Sequence, residues 1–245
     1  VEVTAPIRLV LLPGMDGTGD LFEPLQEALD PHTRVDIVRY PGSEPRGYDE
    51  LEPRVRAQLP ADEPFVLLGE SFSGPLAIAI AATPPPGLRG LILCCSFARA
   101  PTPGLALLRG GLLGLAMKFL HAAPLRGSMQ RMLLGRGADP RVRAQLQAAL
   151  GKVSTAVMTH RLQAVQRVNV TALLPRIRVP ALYLQALQDR LVPAKAAAII
   201  ERALPALRIE RLEGPHGLLQ ASPAAAARVI DNFCRERALS APATP

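Results

Sequence analysis

A chain of 245 residues with 28 Lys and Arg against 21 Asp and Glu, net charge +7, is long enough for one domain with a large core. Its basic balance raises nucleic-acid binding, but no matching fold or aromatic-basic platform accompanies it, and nucleic acid is excluded as a partner. The three cysteines, Cys94, Cys95 and Cys234, are odd in number and irregularly spaced, so they give no disulfide framework, and the four histidines form no metal-binding cluster.

The first element is a buried strand over 7–12, Ile7-Arg8-Leu9-Val10-Leu11-Leu12. It runs into the loop Pro13-Gly14-Met15-Asp16-Gly17-Thr18-Gly19, where Gly14 and Gly17 let the backbone turn inward, and then into a helix over 20–29. The loop lacks the Gly-Lys-Ser/Thr ending of a phosphate-binding P-loop. The plainer alternative is an ordinary Gly-rich loop with Asp16 or Asp20 capping a helix. A strand over 35–39 and a helix over 48–59 follow.

The apolar strand over 65–68 ends in Gly69, and a helix over 74–82 starts almost at once. Ser71 stands between them. A sharp strand-to-helix turn exposes a serine hydroxyl above the sheet. Small residues must flank it because the two backbones approach closely, and the helix N-terminus offers positive potential and free N–H groups. The strict G-x-S-x-G spacing is not kept: Ser73 holds the fifth position and Gly74 comes one residue later. Ser73 is small enough to pack there. The alternative is that Gly69 and Ser71 merely punctuate a junction.

After a strand over 88–95 comes an insertion over 97–175, read as helical pieces broken by Pro101, Pro103, Pro124 and Pro140. Its apolar part, 105–125, is interrupted by Arg109 and Lys118 and broken by Gly110, Gly111 and Gly114, short of the roughly 20 uninterrupted apolar residues that cross a bilayer. The insertion carries eleven Lys and Arg against Asp139 alone. That excess reads either as a solvated helical face or as attraction for an anionic substrate, an acyl carrier or a membrane surface.

A strand over 181–186 leads into Gln188-Asp189-Arg190-Leu191-Val192-Pro193 and a helix over 194–203. A strand over 207–212 leads into Gly214-Pro215-His216-Gly217, a helix over 223–237 and a frayed tail. Strands alternating with helices imply a doubly wound, mainly parallel α/β sheet. Asp189 and His216 fall just past the C-terminal ends of strands, where such sheets build their sites.

Ser71, Asp189 and His216 are therefore the candidate catalytic triad, in the chain order nucleophile, acid, base. His32 lies at the opposite edge of the sheet, and His121 and His160 sit in the insertion, where a lone helical histidine is more often structural. Glu210 and Glu213 are too close to His216 along the chain to orient it, and Asp16 belongs to the first loop. The N–H groups of Met15 and Phe72 are the candidate oxyanion donors. Cys94 and Cys95 read as buried thiols.

On Leu12-Pro13-Gly14-Met15-Asp16-Gly17-Thr18-Gly19, Gly69-Glu70-Ser71-Phe72-Ser73-Gly74, Gln188 to Pro193 and Gly214 to Gly217, the chain resembles the α/β-hydrolases over nearly all its length. The first two motifs together also resemble the hydrolase/acyltransferase-like domain of plant phytyl ester synthases. The resemblance implies an α/β-hydrolase fold with a core over 1–96 and 176–245 and a helical cap over 97–175. It implies a serine esterase for small to medium acyl esters, with no metal or organic cofactor. An acyltransferase or thioesterase with the same triad, or a non-catalytic binding protein, are the alternatives. The basic cap raises a weak contact with an anionic surface or acyl carrier. No signal-like segment precedes the first strand, so a cytoplasmic location is the expectation, although a chain opening on Val1 leaves room for a removed leader.

Overall fold

Four segments, β1 (Arg8–Leu12), β3 (Phe65–Glu70), β4 (Leu88–Cys94) and β5 (Ala181–Ala186), are aliphatic runs buried almost throughout, as parallel strands covered on both faces must be. With the more polar β2 (Arg34–Ile37) and β6 (Arg208–Leu212) at the edges, they form a six-stranded sheet in the order β2-β1-β3-β4-β5-β6, all pairs parallel. This computed structural model describes residues 7–61, 63–101 and 123–239, and for 123–126 the backbone only.

In chain order the described helices are α1 (Glu23–Ala28), α2 (Tyr48–Arg56), α3 (Gly74–Ala82), α4 (Ala123–Leu134), α5 (Pro140–Gly151), α6 (Thr155–Arg167), α7 (Lys195–Ala203), α8 (Leu218–Ala221) and α9 (Pro223–Leu239). The two-residue period of the strands sorts the core into two layers. Val10, Leu12, Leu67, Leu91 and Tyr183 face α2, α3 and α7, and pack with Leu51, Leu76 and Ile200. Leu9, Leu11, Leu68, Ile92 and Leu184 face α1, α8 and α9, and pack with Leu25, Leu218 and Ile230. Helices on both faces make the sheet doubly wound.

Two expected bounds differ for local reasons. The helix expected over 20–29 is a 3-10 turn, Asp20–Phe22, followed by α1. Pro24 has no N–H to donate to the Asp20 carbonyl, so α1 starts afresh with the proline in its first turn. β3 continues two residues beyond Leu68, because Gly69 and Glu70 pair in register with Leu93 and Cys94 of β4. The expectations placed on 105–122, including Arg109, Lys118 and His121, and on the tail from 240 lie outside the described residues.

The insertion between β4 and β5 contributes α4, α5, α6 and the 3-10 turn Thr171–Arg176. Two small apolar clusters seat it: Val153, Val157 and Met158 against Met15, and Leu134, Val142 and Leu146 against Leu21. Three of its described cations are engaged with the rest of the chain. Arg141 pairs with Glu23 and Glu27, Lys152 pairs with Asp20, and Arg161 is fully buried. Among the described residues, no helix is long and apolar enough to cross a membrane.

Candidate active site

The strand order reverses direction between β1 and β3, which leaves a crevice at their C-terminal ends. The loop 13–19 leaves β1 there, and Ser71 leaves β3 beside it. Asp189 and His216 follow β5 and β6 on the same rim.

Ser71 sits at φ 47°, in the left-handed region that costs a non-glycine residue roughly 1–3 kcal/mol. The conformation is held from outside. Ser96 Oγ donates to the Ser71 carbonyl at 2.6 Å, and the Gly74 N–H donates to the same oxygen. Ser96 is itself fixed, its N–H donating to Tyr183 Oη at 3.0 Å and its carbonyl accepting from the same hydroxyl at 2.6 Å. A Cβ at Gly74 would run into the Ser96 side chain, and one at Gly69 would lie 2.8 Å from both Ala77 Cβ and the Ser73 carbonyl. Position 74 must therefore be glycine because of the serine that braces the turn, and this accounts for the shifted spacing.

Ser73 does more than fit. Fully buried, it donates to the Pro13 carbonyl and accepts from the Tyr40 hydroxyl at 2.6 Å, which ties the serine turn to the loop after β1. Tyr48 completes the support, stacking on Phe72 at 4.7 Å and donating to its carbonyl at 3.0 Å.

The three candidate side chains meet. Ser71 Oγ lies 2.8 Å from His216 Nε2, and His216 Nδ1 lies 2.8 Å from Asp189 Oδ2. One tautomer serves both contacts: Nδ1–H donates to the carboxylate and Nε2 accepts from the serine hydroxyl. Asp189 Oδ1 accepts from the N–H groups of Leu191 and Val192 at 2.8 and 2.9 Å, which fixes the carboxylate plane. The Asp189 and His216 side chains are 5% and 8% exposed, so their contact is sheltered from water. The two loops are zipped by Leu187 N–H to Leu212 O and Gln188 N–H to Gly214 O. From the insertion, the Leu133 carbonyl accepts from Gly217 N–H at 2.7 Å.

Met15 lies in a loop whose polar groups are nearly all engaged. Asp16 Oδ2 accepts from both the N–H and the hydroxyl of Thr18, so it shapes this loop and caps no helix. Gly17, at φ 71°, accepts from Tyr40 N–H and donates to the Gly14 carbonyl. Gly14 lies against the Glu70 carboxylate, where a Cβ would fall 3.7 Å from Oε2. Among the described residues, none accepts from Met15 N–H. Phe72 lies in the first turn after β3, where helical N–H groups lack intrahelical partners.

Glu70, buried beneath this loop, accepts from Gln220 Nε2 at 3.0 Å. Burial pushes its carboxyl up to about 7; Asp16 adds to the rise, while Gln220, His216 and the Gly14 N–H oppose it. Glu70, Ser73, Ser96 and Arg161 are the site residues that sequence reasoning passed over.

The rivals stand apart. His32 is exposed at the start of β2, and His160 lies 4.0 Å from Glu50. Glu213 pairs with Gln188, and Glu210 lies beside Arg208. A cleft of about 670 Å³ opens between the α4–α5 turn and Gly214-Pro215, but none of the three candidate side chains lines it. Cys94, Cys95 and Cys234 are buried and unbridged. Among the described residues, no group of three His, Cys, Asp or Glu side chains could hold a metal ion.

The family model described as "Alpha/beta hydrolase family" matches residues 9–229. The pimeloyl-[acyl-carrier protein] methyl ester esterase of Xanthomonas axonopodis pv. citri is 29% identical over 221 residues, covering 82% of this chain and 85% of its own. The enzyme of the same description from Neisseria meningitidis serogroup C is 26% identical over 218 residues, covering 84% of each chain. Among solved structures, the enol-lactonase from Burkholderia xenovorans LB400 superposes with a TM-score of 0.80 at 18% identity, covering 94% of this chain and 92% of that one.

Proposed function

The chain belongs to the alpha/beta hydrolase family, and on that premise we propose that it is a serine esterase that cleaves carboxylic esters through an acyl-enzyme on Ser71. The observation that carries this reading is the strained Ser71 within 2.8 Å of a histidine that is in turn held by a buried carboxylate. Methyl ester esterases among the relatives support ester hydrolysis in general.

In the proposed reaction His216 Nε2 takes the proton from Ser71 Oγ as the oxygen attacks the acyl carbonyl. Asp189 orients the ring and stabilises the imidazolium. The Met15 and Phe72 N–H groups receive the oxyanion, worth about 3–4 kcal/mol per donor where such donors have been removed. His216 then protonates the departing alcohol, and a water activated by the same imidazole releases the acid. In this proposal 97–175 acts as a cap over a core of 1–96 and 176–245, with its apolar face lining the acyl pocket.

A second reading concerns how the ester arrives. The relatives' substrates are carried on acyl carrier protein, and Arg131, Arg136 and Arg143 on the insertion are exposed with no carboxylate partner among the described residues. An acidic carrier would meet them favourably, chiefly through the association rate.

Hydrolysis of p-nitrophenyl esters of graded acyl length, with Ser71→Ala in parallel, tests the main reading. Loss of about a thousandfold or more in kcat for the variant is expected, and the length optimum sizes the pocket. Retained activity in Ser71→Ala would overturn the assignment. Formation of a new ester from an added alcohol, in place of free acid, would shift the reading to acyl transfer. For the carrier reading, kcat/KM on a carrier-borne methyl ester should fall steeply with salt while that on the free ester does not.

A further inference from the structure

Among the described residues, Arg161 is the largest side chain with no exposed surface, and it comes from the insertion. Its guanidinium makes no hydrogen bond to a carboxylate among the described residues. Nη1 donates to the carbonyls of Met15 and Asp16, both at 2.9 Å, and Nη2 donates to the Pro41 carbonyl at 2.9 Å. Nε is buried and unpartnered. The group also lies 5.6 Å from the Tyr40 ring centroid, and burial lowers its pKa from the usual arginine range despite the nearby Asp16.

A buried cation held only by carbonyls is a poor device for stability, since an apolar residue of similar size often serves as well or better. The arrangement is explained by what it immobilises. The Met15 and Asp16 carbonyls belong to the two peptides that directly follow the Met15 N–H. On the other side, Ser73 holds the Pro13 carbonyl. The peptide carrying the unpaired Met15 N–H is thus held on both sides: its own Gly14 carbonyl accepts from Gly17 N–H, and Arg161 supplies the side-chain pin on the Met15 and Asp16 carbonyls. Gly17 makes room for it: a Cβ there would lie 2.6 Å from Arg161 Nη1 and 2.9 Å from Tyr40 Cβ.

We infer that Arg161 is a positioning residue for the oxyanion hole, through which helix α6 of the insertion sets the aim of the Met15 N–H. The inference rests on the esterase reading given above. It makes the insertion part of the acyl-transfer machinery as well as a cover, because any displacement of α6 withdraws the guanidinium from the loop. The loop's aim affects the transition state far more than the ground state, so the effect falls on kcat.

Two variants and one ligand test it. Arg161→Met keeps length and removes every donor; kcat should fall about 100-fold, the effect of misplacing a catalytic group by about 1 Å, with KM changed by less than about threefold. A trifluoromethyl ketone, which forms a hemiketal oxyanion on the serine, should lose affinity by a similar factor. If Arg161→Met does not fold, Arg161→Lys decides: the single ammonium cannot span three carbonyls, and kcat should fall about tenfold at unchanged KM. A folded variant with normal kcat and ketone affinity but a lower Tm would overturn the inference and leave Arg161 a structural brace. A raised KM at normal kcat would overturn it in favour of a substrate contact. Failure of the esterase reading shows separately, as a wild-type protein that neither hydrolyses esters nor binds the ketone, and it would overturn both.

Discussion

Replacing Glu70 with glutamine should stabilise the protein at alkaline pH and do little at pH 5. The carboxyl lies beneath the loop after β1, accepts from Gln220 Nε2 at 3.0 Å, and is pushed by burial up to about 7 from an ordinary value of 4.5. Between those values the unfolded chain has released the proton and the native state still holds it. Stability therefore falls as pH rises from about 4.5 to about 7, and then levels off once the native state ionises as well. At about 1.4 kcal/mol per pKa unit, the ionised carboxylate costs the fold roughly 3 kcal/mol above pH 7. The amide in Glu70→Gln carries no charge, but it offers one acceptor atom where the carboxylate offers two, and the Gln220 amide facing it is already oriented by donating to the Leu21 carbonyl. One weakened hydrogen bond takes back about 1 kcal/mol. The net gain is about 2 kcal/mol, or roughly 4–8 °C in Tm for a domain of this size. Thermal unfolding of wild type and Glu70→Gln at pH 5, 7 and 9 reads it directly. The variant should be within about 2 °C of wild type at pH 5 and clearly above it at pH 9. A Tm difference that does not change with pH would refute the reasoning, because the carboxyl would then not titrate between its two states as described.

Ser96→Ala removes the donor that braces the strained Ser71 carbonyl; it should cost about 1–3 kcal/mol in urea unfolding and lower kcat by tenfold or more on order of magnitude. Gly74→Ala drives a Cβ into the Ser96 side chain and should destabilise by about 2 kcal/mol or more, and a double-mutant cycle with Ser96→Gly should show strong non-additivity, because that change empties the space. Asp189→Asn keeps the shape but disfavours the tautomer that presents Nε2 to Ser71, so kcat should fall by about 10⁴-fold with little change in KM, measured on a p-nitrophenyl ester.

Which parts of the site are readable in the chain follows from how each residue signals. Strands buried on both faces announce themselves as apolar runs, and helix α3 occupies the expected 74–82, with Pro75 in its first turn. Ser71, Asp189 and His216 each follow a strand end directly, so local sequence places them on one rim and the chain order relates them. The supporting residues give no such signal. Ser73, Ser96 and Tyr40 are ordinary polar types, and their meaning lies in contacts between segments dozens of residues apart. Gly74 reads as a spacing fault until Ser96 is placed beside it. Arg161 does carry a trace: it falls four residues after Val157 and three after Met158, on the inward stripe of α6. Counted with the other cations of the insertion, it loses that position. Glu70 next to the serine has the opposite difficulty, since a lone glutamate reads as a surface residue and its burial depends on the loop after β1 and on α8 closing over it.

The central claim is that the strain and the His216 contact make Ser71 a nucleophile. Treatment with a fluorophosphonate, followed by intact mass measurement and peptide mapping, tests this without any guess about the natural substrate. The expected result is one adduct per chain, located on Ser71, formed by wild type and lost or slowed by orders of magnitude in His216→Ala. An unlabelled wild type, a label on another residue, or equal labelling without His216 would contradict the account.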